Sequence, residues 1–193
     1  MLQLAFSGTA EGLPNRLRKL GWAVGNPLVV TELGLAVWEE VRKAPADDDP
    51  QESSEIYLDR DDPLAFIRLK RKIAAIQDEV FVVDPYFKME QLEALADLPT
   101  LKRLLVSKKL PKAERNALSE VSRQLNLLLE IRLATNHFHD RWVIGSEVVY
   151  QLGVSFNGVG KATSTFAELG GASKLVRAEA EKSWGSADVL YSP

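Results

Sequence analysis

The alternation of apolar and polar positions divides the chain into helix-like and strand-like stretches that succeed one another regularly from about residue 57 onward. Apolar residues at helical spacing (Phe66, Ile67, Ile73, Ile76) predict a helix in "DPLAFIRLKRKIAAIQ", with Pro63 placed for its first turn. "EVFVVDPYF" is β-branched and aromatic and ends at Asp-Pro, the pattern of a buried strand. A helix near Lys88 to Leu98, a strand at "LKRLLVS" and a helix at "KAERNALSEVSRQLNLLL", with Leu118, Val121 and Leu125 on one face, come next. Three strand-like segments, "LEIRLAT", "RWVIG" and "EVVYQLG", precede a last helix at "ASKLVRAEAEKSW". This succession predicts an α/β fold: a mixed, largely parallel sheet flanked by helices, with a hairpin-like return at Ile144 to Glu147. In such sheets functional side chains gather at strand ends. Asp84 to Tyr86, Ser107 and His137 to Arg141 all fall there.

Upstream, residues 44–56 are rich in acids and prolines with little to bury, which predicts a solvated linker between an N-terminal segment (1–43) and the larger domain (57–193). The N-terminal segment has a basic stretch (Arg16, Arg18, Lys19), a short apolar return and then "TELG" opening a helix. It resembles the last part of a winged-helix domain, either as a remnant that contacts DNA or as a cap burying Trp22, Val37 and Trp38.

Net charge is −3, but Ala44 to Asp62 holds eight acids against Arg60 alone, so the remainder carries +4. A phosphate-binding face is compatible with that remainder. No apolar run reaches the roughly 20 residues of a membrane span, and no secretory signal opens the chain. With no cysteine, neither disulfides nor thiolate metal sites are available, and a cytoplasmic location is the simplest expectation.

Both histidines of the chain lie in "ATNHFHDRWVIGSEVVYQLGVSFNGVGK". This stretch resembles the phospholipase D-like superfamily signature H-x-K-x4-D-x6-G: His139 matches the histidine, Arg141 the lysine, Ser146 the aspartate and Gly153 the glycine. It is most similar to the branch that writes "HDRF" and follows it with G-x-S-x-x-x-x-G-K, here Gly153, Ser155, Gly160 and Lys161. The resemblance spans Tyr57 to Glu168.

It implies a metal-independent, cofactor-free phosphodiesterase acting on nucleic acid, DNA before RNA, and not on a membrane. One imidazole attacks phosphorus to form a phosphohistidine while a second protonates the leaving oxygen. By the resemblance His139 is the nucleophile, Arg141 and Lys161 hold the phosphate, and Glu168 orients an imidazole. Asp84, Tyr86, Ser155, Asn157 and His137 are candidate substrate-binding residues. The family mechanism uses two motifs and this chain has one, which implies a homodimer sharing His139 from each subunit. His137 is the other candidate for the second imidazole, although residues two apart on a strand point the same way.

A second reading makes the chain a degenerate member that binds DNA or a protein without cutting, for which Ser146 and Arg141 speak. A third places it as a nuclease or dimerisation module in an assembly with a helicase or ATPase partner. The bland alternatives are a structural His139, an Arg141 paired with Asp140, and an Asp84 and Tyr86 that merely end a strand.

Overall fold

The computed structural model describes residues 23–25, 27, 29–31, 35, 55–135 and 139–193, and it divides into two units, Met1–Asp49 and Pro50–Pro193. In the first unit, β1 (Ala23–Val24) pairs antiparallel with β2 (Val29–Val30), and the turn between them uses Gly25 at φ 79°. The Leu35 N–H donates to the Thr31 carbonyl at 2.9 Å. The basic stretch and the tryptophans of this segment lie outside the described residues, as does His137.

The second unit runs β3 (Glu55–Leu58), α1 (Ala65–Ala74), β4 (Val80–Val83), α2 (Met89–Leu95), β5 (Leu101–Ser107), α3 (Lys112–Gln124), β6 (Glu130–Ala134), β7 (Trp142–Ile144), β8 (Val149–Leu152), β9 (Ser164–Glu168), α4 (Ser173–Gly185) and β10 (Asp188–Tyr191). The strands form one eight-stranded mixed sheet in the order β10-β6-β5-β4-β7-β8-β9-β3. Its parallel part is confined to β4, β5 and β6; every other ladder is antiparallel. β7 and β8 form the expected hairpin, closed by the Gly145 N–H on the Val148 carbonyl at 2.9 Å. Glu55 and Ile56, which the sequence reading puts in the linker, pair with Ala167 and Phe166.

Alternation along β4 sorts the core. Val80 and Val82 face one side, in a cluster with Leu69 and Ile73 of α1, Leu92 and Leu95 of α2, and Leu118 and Val121 of α3. Phe81 and Val83 face the other, against Ala180 and Trp184 of α4. Phe81 and Trp184 meet edge to face at 5.1 Å. Arg103 lies 4.4 Å from the Phe81 ring and donates to both carboxylate oxygens of Glu181 at 2.7 and 2.8 Å. These bonds hold Glu181 below the usual carboxylate range.

Two helical faces differ from expectation. The buried stripe of α1 runs through Ala65, Leu69, Lys72 and Ile73 rather than through Ile67. Leu125 is half exposed because α3 stops at it: Asn126 turns left-handed (φ 49°), and the Leu127 and Asn126 N–H groups bond back to Ser122 and Arg123. That is a Schellman stop, and it rotates Leu125 off the face of Leu118 and Val121.

Candidate functional site

The carboxyl ends of β4, β5 and β6 are the places where these parallel strands hand over to loops. β7 begins at the same edge, since Trp142 pairs with Val83, and β8 ends there, with the Leu152 N–H on the Arg141 carbonyl at 2.9 Å. The segment after β8 therefore returns to lie against the end of β4.

Asp84 is the hinge of that contact. It continues β4 with the parity of Val82, pointing to the face that α2 covers, and it is fully buried. One carboxylate oxygen accepts the Tyr86 N–H at 2.9 Å; the other accepts the Ser155 hydroxyl at 2.7 Å and the Phe156 N–H at 2.8 Å. Asn157 Nδ2 donates to the Tyr86 carbonyl at 3.1 Å and closes a ring of bonds between the β4 end and the 3₁₀ turn Phe156–Gly158. Beneath it, Phe87 and Phe156 pack with ring centroids 5.2 Å apart. Burial pushes the Asp84 carboxyl above its usual range, against the opposing pull of these donors and of the nearby Arg141 charge.

Above this ring opens a cleft of about 480 Å³. Tyr86 and Lys88 wall it from the β4–α2 loop, Arg141 from the start of β7, and Ser155 and Asn157 from the loop after β8. Leu110, Pro111 and Glu114 close the side toward α3. The Arg141 guanidinium stands 5.7 Å from the Tyr86 ring centroid, within cation–π range, and its buried Nε–H has no acceptor. Lys88 Nζ pairs with Glu114 across the cleft at 3.1 Å. The cleft thus offers two cations, one anion, an aromatic ring 40% exposed and an apolar side.

The fold brings together Tyr86, Arg141, Ser155 and Asn157 of the sequence candidates. Asp84, expected to bind substrate, instead stands behind the wall and braces it, because its oxygens are turned to protein donors. Ser155 is 7% exposed and its proton is committed to Asp84, so this hydroxyl can accept from a ligand but not donate to one.

His139 is exposed, two residues before Arg141 on the segment leading into β7, and is not among the cleft walls. Lys161 is exposed on the β8–β9 loop, its N–H on the Gly158 carbonyl, and it too stands outside the cleft. Glu168 pairs with Tyr150, which pairs with Val143, so it sits part-way down the sheet rather than at the cleft edge. Its charge and burial raise the Tyr150 hydroxyl, burial contributing more. Ser146, at the motif's carboxylate position, lies in the β7–β8 turn and donates to the Asp78 carboxylate, which braces that turn from another segment.

Lys88 and Glu114 were not legible as site residues. Lys88 comes from the β4–α2 loop and Glu114 from α3, and only the tertiary fold sets them opposite each other. The motif glycines have backbone reasons. Gly160 is left-handed at φ 74°, with its carbonyl accepting the Asp61 N–H, and a β-carbon on Gly153 would come 2.7 Å from Ser164 Oγ.

The architecture matches that of a solved phospholipase D family member, Nuc from Salmonella typhimurium, over 72% of this chain and 97% of Nuc, with a TM-score of 0.52 and 11% sequence identity. The fold is phospholipase D-like. TrmBL2, an archaeal chromatin protein, aligns over 91% of this chain and 80% of its own at a TM-score of 0.47 and 15% identity. No family model and no curated protein sequence matches the chain. Among the described residues, no helix is long and apolar enough to cross a membrane.

Proposed function

We propose that this protein is a metal-independent phosphodiesterase that cuts nucleic acid through a phosphohistidine on His139, at a site completed by a second copy of the chain. The observation that carries the reading is the convergence of the motif's Arg141 and Ser155 with Asn157 and Tyr86 in one cleft at the carboxyl edge of a phospholipase D-like sheet. In the proposed reaction the neutral His139 imidazole attacks phosphorus, a P–N bond forms as the P–O bond breaks, and the leaving oxygen takes a proton from His139 of the partner subunit. Water then attacks phosphorus, gives its proton to that second imidazole and frees His139. Arg141 neutralises the phosphoryl oxygens through both steps; it stays protonated and is a clamp, not an acid.

The test is cleavage of labelled single- and double-stranded DNA in excess EDTA by the parent and by His139→Ala. Cutting by the parent alone supports the reading. Cutting by both removes His139 as nucleophile.

A second reading, a phospholipase D-like module that binds DNA or a partner protein and no longer cuts, draws on one feature. His139, Lys161 and Glu168, the expected nucleophile, second cation and imidazole orienter, stand apart from the cleft. Salt-dependent binding of DNA by parent and variant with no cutting by either would favour it.

A further inference from the structure

We infer that the cleft takes an unstacked nucleotide of a single strand, its base laid on the Tyr86 ring and its phosphate on Arg141. This rests on the nucleic-acid reading above and adds to it which form of nucleic acid the site accepts.

Three observations converge. Tyr86 lines the cleft and is 40% exposed although its backbone is pinned on both sides, the N–H to Asp84 and the carbonyl to Asn157. An aromatic ring kept in solvent on a fixed backbone loses little freedom on binding, which is what a stacking platform requires. Second, the Arg141 guanidinium lines the same cleft, 5.7 Å from that ring. A guanidinium presents several N–H donors that match anionic oxygens, and a phosphate supplies them. Third, Leu110 and Pro111 give the cleft an apolar side. A phosphate alone has no use for it; a nucleotide, charged at one end and flat and weakly polar at the other, matches both.

Strandedness follows from the ring. In a duplex the faces of the bases are stacked on one another and only their edges reach the grooves. A protein aromatic can lie against a base face only where the base is unstacked, as in a single strand, a frayed end or a flipped nucleotide.

The test measures fluorescence anisotropy of three labelled probes on the full chain carrying His139→Ala, so that no turnover intrudes: an eight-residue oligothymidylate, an abasic strand of equal length, and a blunt hairpin duplex. Oligothymidylate is expected to bind about tenfold or more tighter than either other probe, the scale of one or two base stacks. Tyr86→Ala is expected to lose about tenfold on oligothymidylate and nothing on the abasic strand, while Tyr86→Phe keeps parent affinity. Equal binding of oligothymidylate and abasic strand overturns the inference, as does equal weakening of all probes in Tyr86→Ala. Should the parent cut duplex in EDTA while Tyr86→Ala cuts it equally well, only the single-strand inference fails. No binding to any probe and no cutting removes the nucleic-acid reading itself.

Discussion

The Ser155 hydroxyl donates to the Asp84 carboxylate at 2.7 Å, joining two positions 71 residues apart in the chain. That bond ties the loop after β8 to the end of β4, and with the Phe156 and Tyr86 N–H groups it makes Asp84 the common acceptor beneath the cleft. A carboxylate has the acceptor capacity for all three donors, and no other small side chain does.

Asp84→Asn is therefore expected to destabilise the protein by about 1–3 kcal/mol, the usual range for stranding a buried donor. The amide keeps one acceptor for Tyr86 but turns an NH₂ toward Ser155 and Phe156. Urea unfolding at neutral pH measures the loss, and an unchanged midpoint would show that the brace is not needed.

The same carboxyl gives a pH dependence of known sign. Its folded pKa is raised by burial, so its contribution to stability is fully present below the unfolded carboxylate range and is lost as pH rises through the folded value. Groups shared by parent and Asp84→Asn cancel in the difference between them. The parent's advantage over Asp84→Asn is expected to shrink as pH climbs from about 3.5 toward neutrality. A gap that widens with pH would mean that the donors and Arg141 outweigh burial.

Much of the second unit was legible because its central elements obey strong periods. "LKRLLVS" coincides with β5, the apolar run Val80–Val83 is a strand buried from both faces, and "EIRLA" alternates buried Ile131 and Leu133 with half-buried Glu130 and Arg132. β3, β9 and β10 escaped for physical reasons. β3 and β10 are the sheet's two edges, where one face meets solvent and the apolar signal thins; Tyr57 and Val189 are 60% and 57% exposed. β9 is hidden in a polar stretch in which only Ser164 and Phe166 turn inward. In the candidate site, "DPY" marked the strand end beside the cleft, yet the bracing contacts of Asp84 depended on a loop about seventy residues on. Nothing local to Lys88 or Glu114 could announce their pairing.

Glu114 competes with phosphate for Lys88. Glu114→Gln is expected to tighten binding of single-stranded oligothymidylate about two- to fivefold at low salt, because a rim anion is removed and Lys88 is released. Freeing one cation also steepens the dependence of log affinity on log salt by about 0.7, the single-strand value per phosphate contact. Titrations at several salt concentrations measure both effects. A slope equal to the parent's would place Lys88 off the ligand's path.

The motif glycine at Gly153 makes the last prediction. Its N–H donates to the Thr165 carbonyl at 3.0 Å, drawing the strand ends of β8 and β9 together, and an added β-carbon would stand 2.7 Å from Ser164 Oγ. Ser164 is 9% exposed and has little room to swing away. Gly153→Ala is expected to cost about 1–3 kcal/mol, the range for forcing a methyl group into packed surroundings. Ser164→Ala leaves a β-carbon but removes the clashing oxygen, so the double variant should recover most of that loss. Thermal and urea unfolding of the four proteins in this cycle give the coupling between the two sites. A coupling near zero would mean that the approach to Ser164 Oγ is not what excludes a side chain at Gly153.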